Sequence, residues 1–287
     1  MINLRKVLAI ATLAASQLVI ADTRLPNTAI FDLGTLDTMS ALGLDQYVVG
    51  VPKQGLPDYL QQFNKPSYTD IGGLKTPDIA ALTTANPDLI IITGRQAGKQ
   101  NELAKVAAVK QMDLSGDHYW HGLSENVTSI AAIFHSQDAS TKALSDLHAY
   151  IETTKKHVDQ NASILFVTHN SGSFSVREDA ISSQLLGINP AKIPSNIKSH
   201  KRGNRSFTPL EIKDIANIHP STLFIVDRSA AIGDKENAVN LNALKEALTA
   251  EGAGEINIAY LSPKLWYLSG NGLQSVRMQV KEIADAL

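Results

Sequence analysis

The 287-residue sequence contains no cysteine. That absence removes disulfide scaffolds, thiolate metal sites and cysteine nucleophiles from consideration. No run of about 18 apolar residues occurs, so the mature protein is not expected to span a membrane. A cationic surplus is missing as well: 26 Lys+Arg stand against 28 Asp+Glu, which argues against a dedicated nucleic-acid binder. The chain has no Gly-x-Ser-x-Gly elbow, no Walker loop and no His-Glu-x-x-His, so the common hydrolase, nucleotide and zinc-protease templates do not apply. Gly-x-Gly-x-x-Gly does not follow the first strand, which argues against a dinucleotide cofactor. What remains is a nearly neutral chain with 44% hydrophobic residues, long enough for two domains and apolar enough for real cores.

Residues 1–21 read as an export signal. Arg5 and Lys6 precede the apolar stretch Val7 to Ala15, and Val19 and Ala21 form a small-residue cleavage pattern before Asp22. Cleavage there removes two of the 26 cations, leaving 24 against 28 acids and a mature charge of −4. A lipid anchor would need a cysteine at the cleavage site. The expectation is therefore a monomer, not membrane-anchored, in the periplasm of a Gram-negative cell, where proteins of this kind catch, carry or degrade small molecules.

The mature chain alternates between short apolar runs and helical patterns. Strands are predicted at Thr28 to Leu33, Tyr47 to Val51 and Leu89 to Thr93, with helices at Asp37 to Leu42, Asp78 to Thr84 and Glu102 to Val109. Such alternation signals parallel α/β structure. From Ala139 to Val158 the spacing of Leu144, Leu147 and Ile151 is helical, with no Gly or Pro; twenty residues would span roughly 30 Å, enough for a strut between lobes. A second α/β pattern follows: strands at Ser163 to Thr168, Leu223 to Val226 and Asn257 to Leu261, helices at Ala180 to Leu186, Leu241 to Thr249 and Leu273 to Ala286. The predicted layout is an N-terminal lobe over 22–137, a linking helix over 138–160 and a C-terminal lobe over 161–287.

An internal echo places the chemistry. Thr76-Pro77-Asp78 opens a helix that ends at Pro87, followed by a strand and Arg95; Thr208-Pro209-Leu210-Glu211 opens one that ends at Pro220, followed by a strand and Arg228. In both, the arginine comes eight residues after the proline. Ligands of open α/β sheets bind at the carboxyl ends of strands, so each lobe would aim one arginine into a shared cleft. Arg177, just past the first strand of the second lobe, adds a third. Lys198, Lys201, Arg202 and Arg205 add a basic run, read either as ligand contacts or as a solvated face. Fixed guanidinium forks facing a cleft suit a ligand of high negative charge. His118 and His121 lie close together in a polar, aromatic stretch and are read as structural or exposed.

The segments IFDLGTLDTMSALGL, PDLIIITGRQ, LFIVDRS and LWYLSGNGLQS, in this order, resemble the periplasmic ferric-siderophore-binding proteins of the catecholate type. The resemblance covers essentially all of the mature chain. It implies the class III periplasmic binding protein fold, two α/β lobes joined by a single long helix, with no catalytic role and no permanently bound cofactor. It also implies an Fe(III)-siderophore as transported ligand and an inner-membrane ABC permease as partner. Arg95, Arg177 and Arg228 would hold the catecholate oxygens, with Gln96 beside the first. Arg177 matches only approximately, because its flanks differ. With a tetradentate siderophore, Tyr267 and His200 would complete the coordination of iron; Arg202 is the alternative occupant of the histidine's place in a longer loop. The acids that dock the permease in related proteins are replaced by Ala80 and Lys213, leaving Asp78 and Glu211 as the nearest symmetric candidates, each equally explained as a helix start. A haem, cobalamin or hydroxamate carrier of the same fold is the alternative.

Overall fold

Two short apolar runs show how the strands are built. In Ala29-Ile30-Phe31 and Ile90-Ile91-Ile92 every side chain is buried. Ala29, Phe31, Ile90 and Ile92 enter one core, whereas Ile30 and Ile91 enter another on the opposite face of the sheet. A sheet covered on both faces needs a continuous apolar run rather than alternation. The same holds for Leu165, Val167, Leu223 and Ile225 against Ile164, Phe166, Phe224 and Val226.

The computed structural model describes residues 24–114, 118–203 and 205–287; the expected signal segment 1–21 lies outside the described residues. The first half comprises β1 (Thr28–Ile30), α1 (Leu33–Ala41), β2 (Val48–Val51), β3 (Thr69–Asp70), α2 (Ile79–Ala85), β4 (Leu89–Ile92), α3 (Gln100–Leu103), β5 (Ala108–Gln111), α4 (Tyr119–Ile133) and α5 (Gln137–Lys155). Its sheet has the order β3-β2-β1-β4-β5 and is parallel throughout. The second half adds β6 (Ile164–Asn170), β7 (Ser173–Val176), β8 (His200–Arg202), β9 (Arg205–Phe207), β10 (Pro209–Leu210), α6 (Ile212–Ile218), β11 (Thr222–Asp227), α7 (Arg228–Ala231), α8 (Leu241–Ala250), β12 (Asn257–Tyr260), α9 (Pro263–Tyr267) and α10 (Leu273–Ala286). Here the order is β10-β7-β6-β11-β12, parallel from β6 to β12 and antiparallel at β7 and β10. Two five-stranded α/β sheets with α5 leading from one to the other are the architecture that the resemblance implies.

Some expectations shift. Glu102 to Val109 is not one helix: α3 stops at Leu103, and Ala108 and Val109 pair with β4. The segment expected as a helix at Ala180 to Leu186 is a π-helix over Ile181–Leu185. The 19-residue α5 leads from one sheet to the other, but it has company. Leu123 and Val127 of α4 belong to the core of the second sheet, and Ile130 and Phe134 to that of the first. Helix α10 packs on α5 and also on α1, so the end of the chain returns to the first lobe.

That return explains the Gly-Asn-Gly motif. A Cβ on Gly34, in the first turn of α1, would lie 2.5 Å from Gly270 O, and one on Gly272 would lie 2.5 Å from Gly34 O. Only bare backbone fits where the two lobes touch. Gly270 also takes φ +92 and Asn271 φ 62, left-handed values that turn the chain into α10. Buried Asp37 of α1 then accepts the N–H groups of Gln274 (2.9 Å) and Ser275 (2.7 Å) in the first turn of α10.

Candidate functional site

The sequence echo is an architectural one. Helices α2 and α6 each contain seven residues, start on an acidic cap (Asp78, Glu211) and end on a left-handed residue, Asn86 at φ 47 and His219 at φ 53. A proline follows each, since it cannot continue the helix. The chain then enters β4 or β11, and each strand delivers an arginine at its carboxyl end. In the first sheet β4 adjoins β1, where the strand order reverses; in the second, β11 adjoins β6. Both arginines thus stand at the places where open α/β sheets bind ligands.

They meet in one cavity of about 360 Å³ between the lobes. Its wall includes Arg95, Arg228, Tyr267, Lys75, Lys264, Leu74, Ile232 and Leu268. Four cations and a phenol line it, and among the described residues no carboxylate does. In a chain of net charge −2 this concentrates positive potential in one place. Lys75 and Lys264 lie outside the sequence-based expectation; a lone lysine carries no sequence signature.

Arg95 reaches across the cleft. Its Nη1 donates to Leu268 O at 2.9 Å and its Nη2 to Tyr267 O at 2.6 Å. Gln96 is buried and already engaged: its Oε1 accepts Thr93 N–H at 2.9 Å, and its Nε2 donates to Leu74 O. It braces the Arg95 turn against the Leu74 loop instead of presenting a group to the cavity. Arg228 is the first residue of α7, which Asp227 caps. Its Nε donates to the Tyr267 hydroxyl at 2.9 Å and its Nη1 to Asn170 Oδ1 at 2.6 Å. Tyr267 ends α9, whose Trp266 is pinned by its indole N–H to Glu282 at 2.7 Å. Lys264 Nζ donates to Leu56 O of the first lobe at 3.0 Å.

Electrostatics separates the capping carboxylates. Burial raises the Asp32 carboxyl above its usual range, although Thr35, Gly34 and nearby Arg95 act in the opposite sense. Asp37 is pushed up to about 6, again by burial and against its hydrogen bonds to Ser275 and Gln274. Asp227 goes the other way. Burial opposes its charge, but the donors Val239 N–H, His169 and Ala230 N–H outweigh it and hold the carboxyl below the usual range.

The remaining expected residues are more scattered. Arg177 donates from Nη2 to Trp266 O at 3.2 Å, and its Nε is buried without a partner among the described residues. Burial lowers its pKa, with Asp179 and Tyr267 opposing. It lines a separate cavity of about 600 Å³ with Glu178 and Asp179, not the wall shared by Arg95 and Arg228. His200 is exposed on the β8–β9 hairpin, its ring 5.7 Å from Phe207, and is not part of that wall. Arg202 and Arg205 pair in the same hairpin; their side chains lie outside the described part. Asp78 caps α2 through Ala81 N–H at 3.0 Å, and Glu211 caps α6 and pairs with Lys213 at 2.7 Å. His121 is exposed and pairs with Glu125 at 3.2 Å. Among the described residues no group of three or more His, Asp or Glu is placed to hold a metal ion, and no helix is long and apolar enough to cross a membrane.

Residues 29–252 match the periplasmic binding protein family. The petrobactin-binding protein YclQ of Bacillus subtilis is 32% identical over 272 residues, covering 90% of this chain and 81% of that one. Its crystal structure superposes with a TM-score of 0.81 at 31% identity over 91% of this chain and 92% of the other. The crystal structure of the iron uptake ABC transporter substrate-binding protein PiuA from Streptococcus pneumoniae has a TM-score of 0.81, with 28% identity and 92% and 94% coverage. The ferric-anguibactin-binding protein FatB of Vibrio anguillarum is 24% identical, covering 92% of this chain and 83% of that one. The chain belongs to the periplasmic binding protein family.

Proposed function

We propose that this protein captures a ferric siderophore of the catecholate type between its lobes and delivers it to an ABC permease. The observation that carries the reading is the cavity wall: Arg95, Arg228, Lys75 and Lys264 with Tyr267, and no acid among the described residues. An iron–catecholate complex is a multiply charged anion with flat rings. Guanidinium groups donate charge-assisted hydrogen bonds to its oxygens and stack on its rings, while Leu74, Ile232 and Leu268 offer apolar surface beside them. Cobalamin, nearly uncharged at its recognition face, would make little use of four cations. The names of YclQ, FatB and PiuA, which refer to petrobactin, ferric anguibactin and iron uptake, point the same way.

Iron is cargo in this reading and brings most of its donors with it, as a hard cation suited to oxygen ligands. Where the siderophore leaves two positions open, Tyr267 supplies a phenolate and His200 an imidazole, the β8–β9 hairpin moving to the cleft when the ligand is bound. Arg177 acts as the third arginine, its unpartnered Nε available once the Trp266 segment adjusts. The protein performs no reaction of its own. It works in the periplasm, after removal of residues 1–21, and Asp78 and Glu211 offer a symmetric acidic pair to the permease.

Titration of tryptophan fluorescence with ferric catecholates and ferric hydroxamates tests the proposal, because Trp266 adjoins Tyr267. Saturable quenching by the catecholates, with weaker response to uncharged hydroxamates, is expected. Equal response to both classes, or none to catecholates, refutes it.

A further inference from the structure

Beyond the last parallel pair of β6 and β11, side chains continue the ladder one residue at a time. Their pairing ends with His169 opposite Asp227, one residue before the end of β6. His169 Nδ1 lies 3.1 Å from Asp227 Oδ1, Asn170 Oδ1 accepts Arg228 Nη1 at 2.6 Å, and Ser171 N–H donates to Ser229 Oγ at 3.0 Å. Three consecutive residues thus clasp three consecutive residues, with the arginine in the middle.

The outer rungs are fixed. His169 and Asp227 are buried, and His169 Nε2 accepts Gly172 N–H at 3.1 Å, so Nδ1 carries the proton and donates to Asp227. Asp227 is further held by Val239 N–H at 2.8 Å. The middle rung is set by chemistry as well as geometry. A guanidinium has only donors, so the Asn170 amide must face it with its oxygen. With Nε spent on Tyr267 and one Nη1 hydrogen on Asn170, three of the five N–H groups have no partner among the described residues.

We infer that Asn170 is a positioning residue for Arg228, aiming its free N–H groups at an anionic ligand while leaving its charge uncancelled. This rests on the reading of the cleft given above. An aspartate in the same place would hold the fork equally well but would neutralise it, so neutrality at position 170 is a specificity feature and not only a packing one.

The experiment measures affinity for ferric bis(2,3-dihydroxybenzoyl)lysine by fluorescence quenching in the wild type, Asn170→Ala, Asn170→Asp, Arg228→Ala and both double variants. Loss of one hydrogen bond to a charged group predicts roughly ten-fold weaker binding for Asn170→Ala. Asn170→Asp, which keeps size and the acceptor oxygen, is expected to fold as the wild type and to bind more weakly than Asn170→Ala. In the Arg228→Ala background Asn170→Ala loses its effect, whereas the carboxylate of Asn170→Asp, then unpaired, still repels the anionic ligand. An Asn170→Ala variant that binds within about two-fold of the wild type, or whose loss persists without Arg228, overturns the inference, as does an Asn170→Asp variant that binds as tightly as the wild type. A wild type that binds no ferric catecholate overturns the functional reading and this inference with it, and that arm is read separately.

Discussion

Asp37 offers a sharp test of how the lobes are tied. Its two oxygens accept two different backbone donors, Gln274 N–H at 2.9 Å and Ser275 N–H at 2.7 Å, in a fully buried position. Replacement by Ala leaves both donors buried and unpaired. Each unsatisfied group costs about 1–3 kcal/mol, so a loss of roughly 4 kcal/mol is expected, a large part of a typical folding free energy. For a chain of this size 1 kcal/mol moves the midpoint by about 2–4 °C, which predicts a fall of roughly 8–16 °C in thermal unfolding followed by circular dichroism. The variant Asp37→Asn, whose amide accepts with one oxygen only, should lie between Asp37→Ala and the wild type.

The pH dependence carries a sign that is easily mistaken. Burial raises the Asp37 carboxyl from 3.8 to about 6 in the folded state, so the folded protein binds this proton more tightly than the unfolded chain does. The group's stabilising contribution is complete below pH 3.8, declines as pH rises towards 6, and is flat above that. Between pH 7.5 and pH 5 the wild type should therefore gain about 1 kcal/mol relative to Asp37→Asn. A midpoint difference between the two that is larger at pH 7.5 than at pH 5 would contradict the assignment. Wild-type stability in Asp37→Ala would refute the tie itself.

Arg228→Ala should weaken ferric catecholate binding roughly ten- to a hundred-fold without lowering the thermal midpoint, and Arg228→Lys should recover only part of it, since an ammonium cannot reproduce the fork; equal titration curves would remove the arginine from the site. Tyr267→Phe should abolish part of the shift in the visible charge-transfer band when a tetradentate ferric bis-catecholate binds, and leave a hexadentate tris-catecholate almost unaffected, with His200→Ala behaving likewise. An unchanged bis-catecholate spectrum in Tyr267→Phe would show that cations alone hold the ligand. Gly272→Ala should cost roughly 1–3 kcal/mol by overpacking, because the new methyl would meet Gly34 O at 2.5 Å; wild-type unfolding of that variant would mean the lobes give way there at no cost.

The fold is readable wherever one local signal suffices. Buried parallel strands show as uninterrupted apolar runs, and the spacing of α10 alone places it at its observed bounds, Leu273–Ala286. Misreadings arise where tertiary pairing overrides local preference. Ala108-Val-Lys-Gln111 contains mostly helix-favouring residues and becomes a strand only because β4 offers it an edge. Helix α4 escapes a sequence reading although Leu123, Val127, Ile130, Ala131 and Phe134 recur at helical spacing; its polar, aromatic opening draws attention to the histidines instead. The antiparallel edge formed by β7 and β10 has only four and two residues, too few for a pattern to emerge.

The site divides in the same manner. Arg95 and Arg228 can be found because each stands at a fixed distance from a helix-ending proline, with a strand of similar length between. Tyr267 comes with a recognisable motif. Lys75, Lys264 and Asn170 have no such marker, because what makes them part of the cleft is which loops the two sheets bring face to face. Burial is equally invisible in a sequence: Arg177 has the right position after β7 and yet spends one donor on Trp266 O and leaves Nε enclosed. The clearest instance is the pair Asp32 and Asp227. Asp32 follows the parallel strand β1 and caps α1, and Asp227 ends the parallel strand β11 and caps α7, so the same residue type fills the same local role. Asp227 receives His169, Val239 and Ala230 and stays charged, whereas burial prevails at Asp32. Arg228 follows the locked carboxylate of Asp227 and is held by the side chains of Tyr267 and Asn170, while Arg95 donates to the carbonyls of Leu268 and Tyr267 in the opposite lobe. In the proposed mode of binding, Arg228 is the preorganised half of the cleft and Arg95 the half that exchanges partners with the ligand.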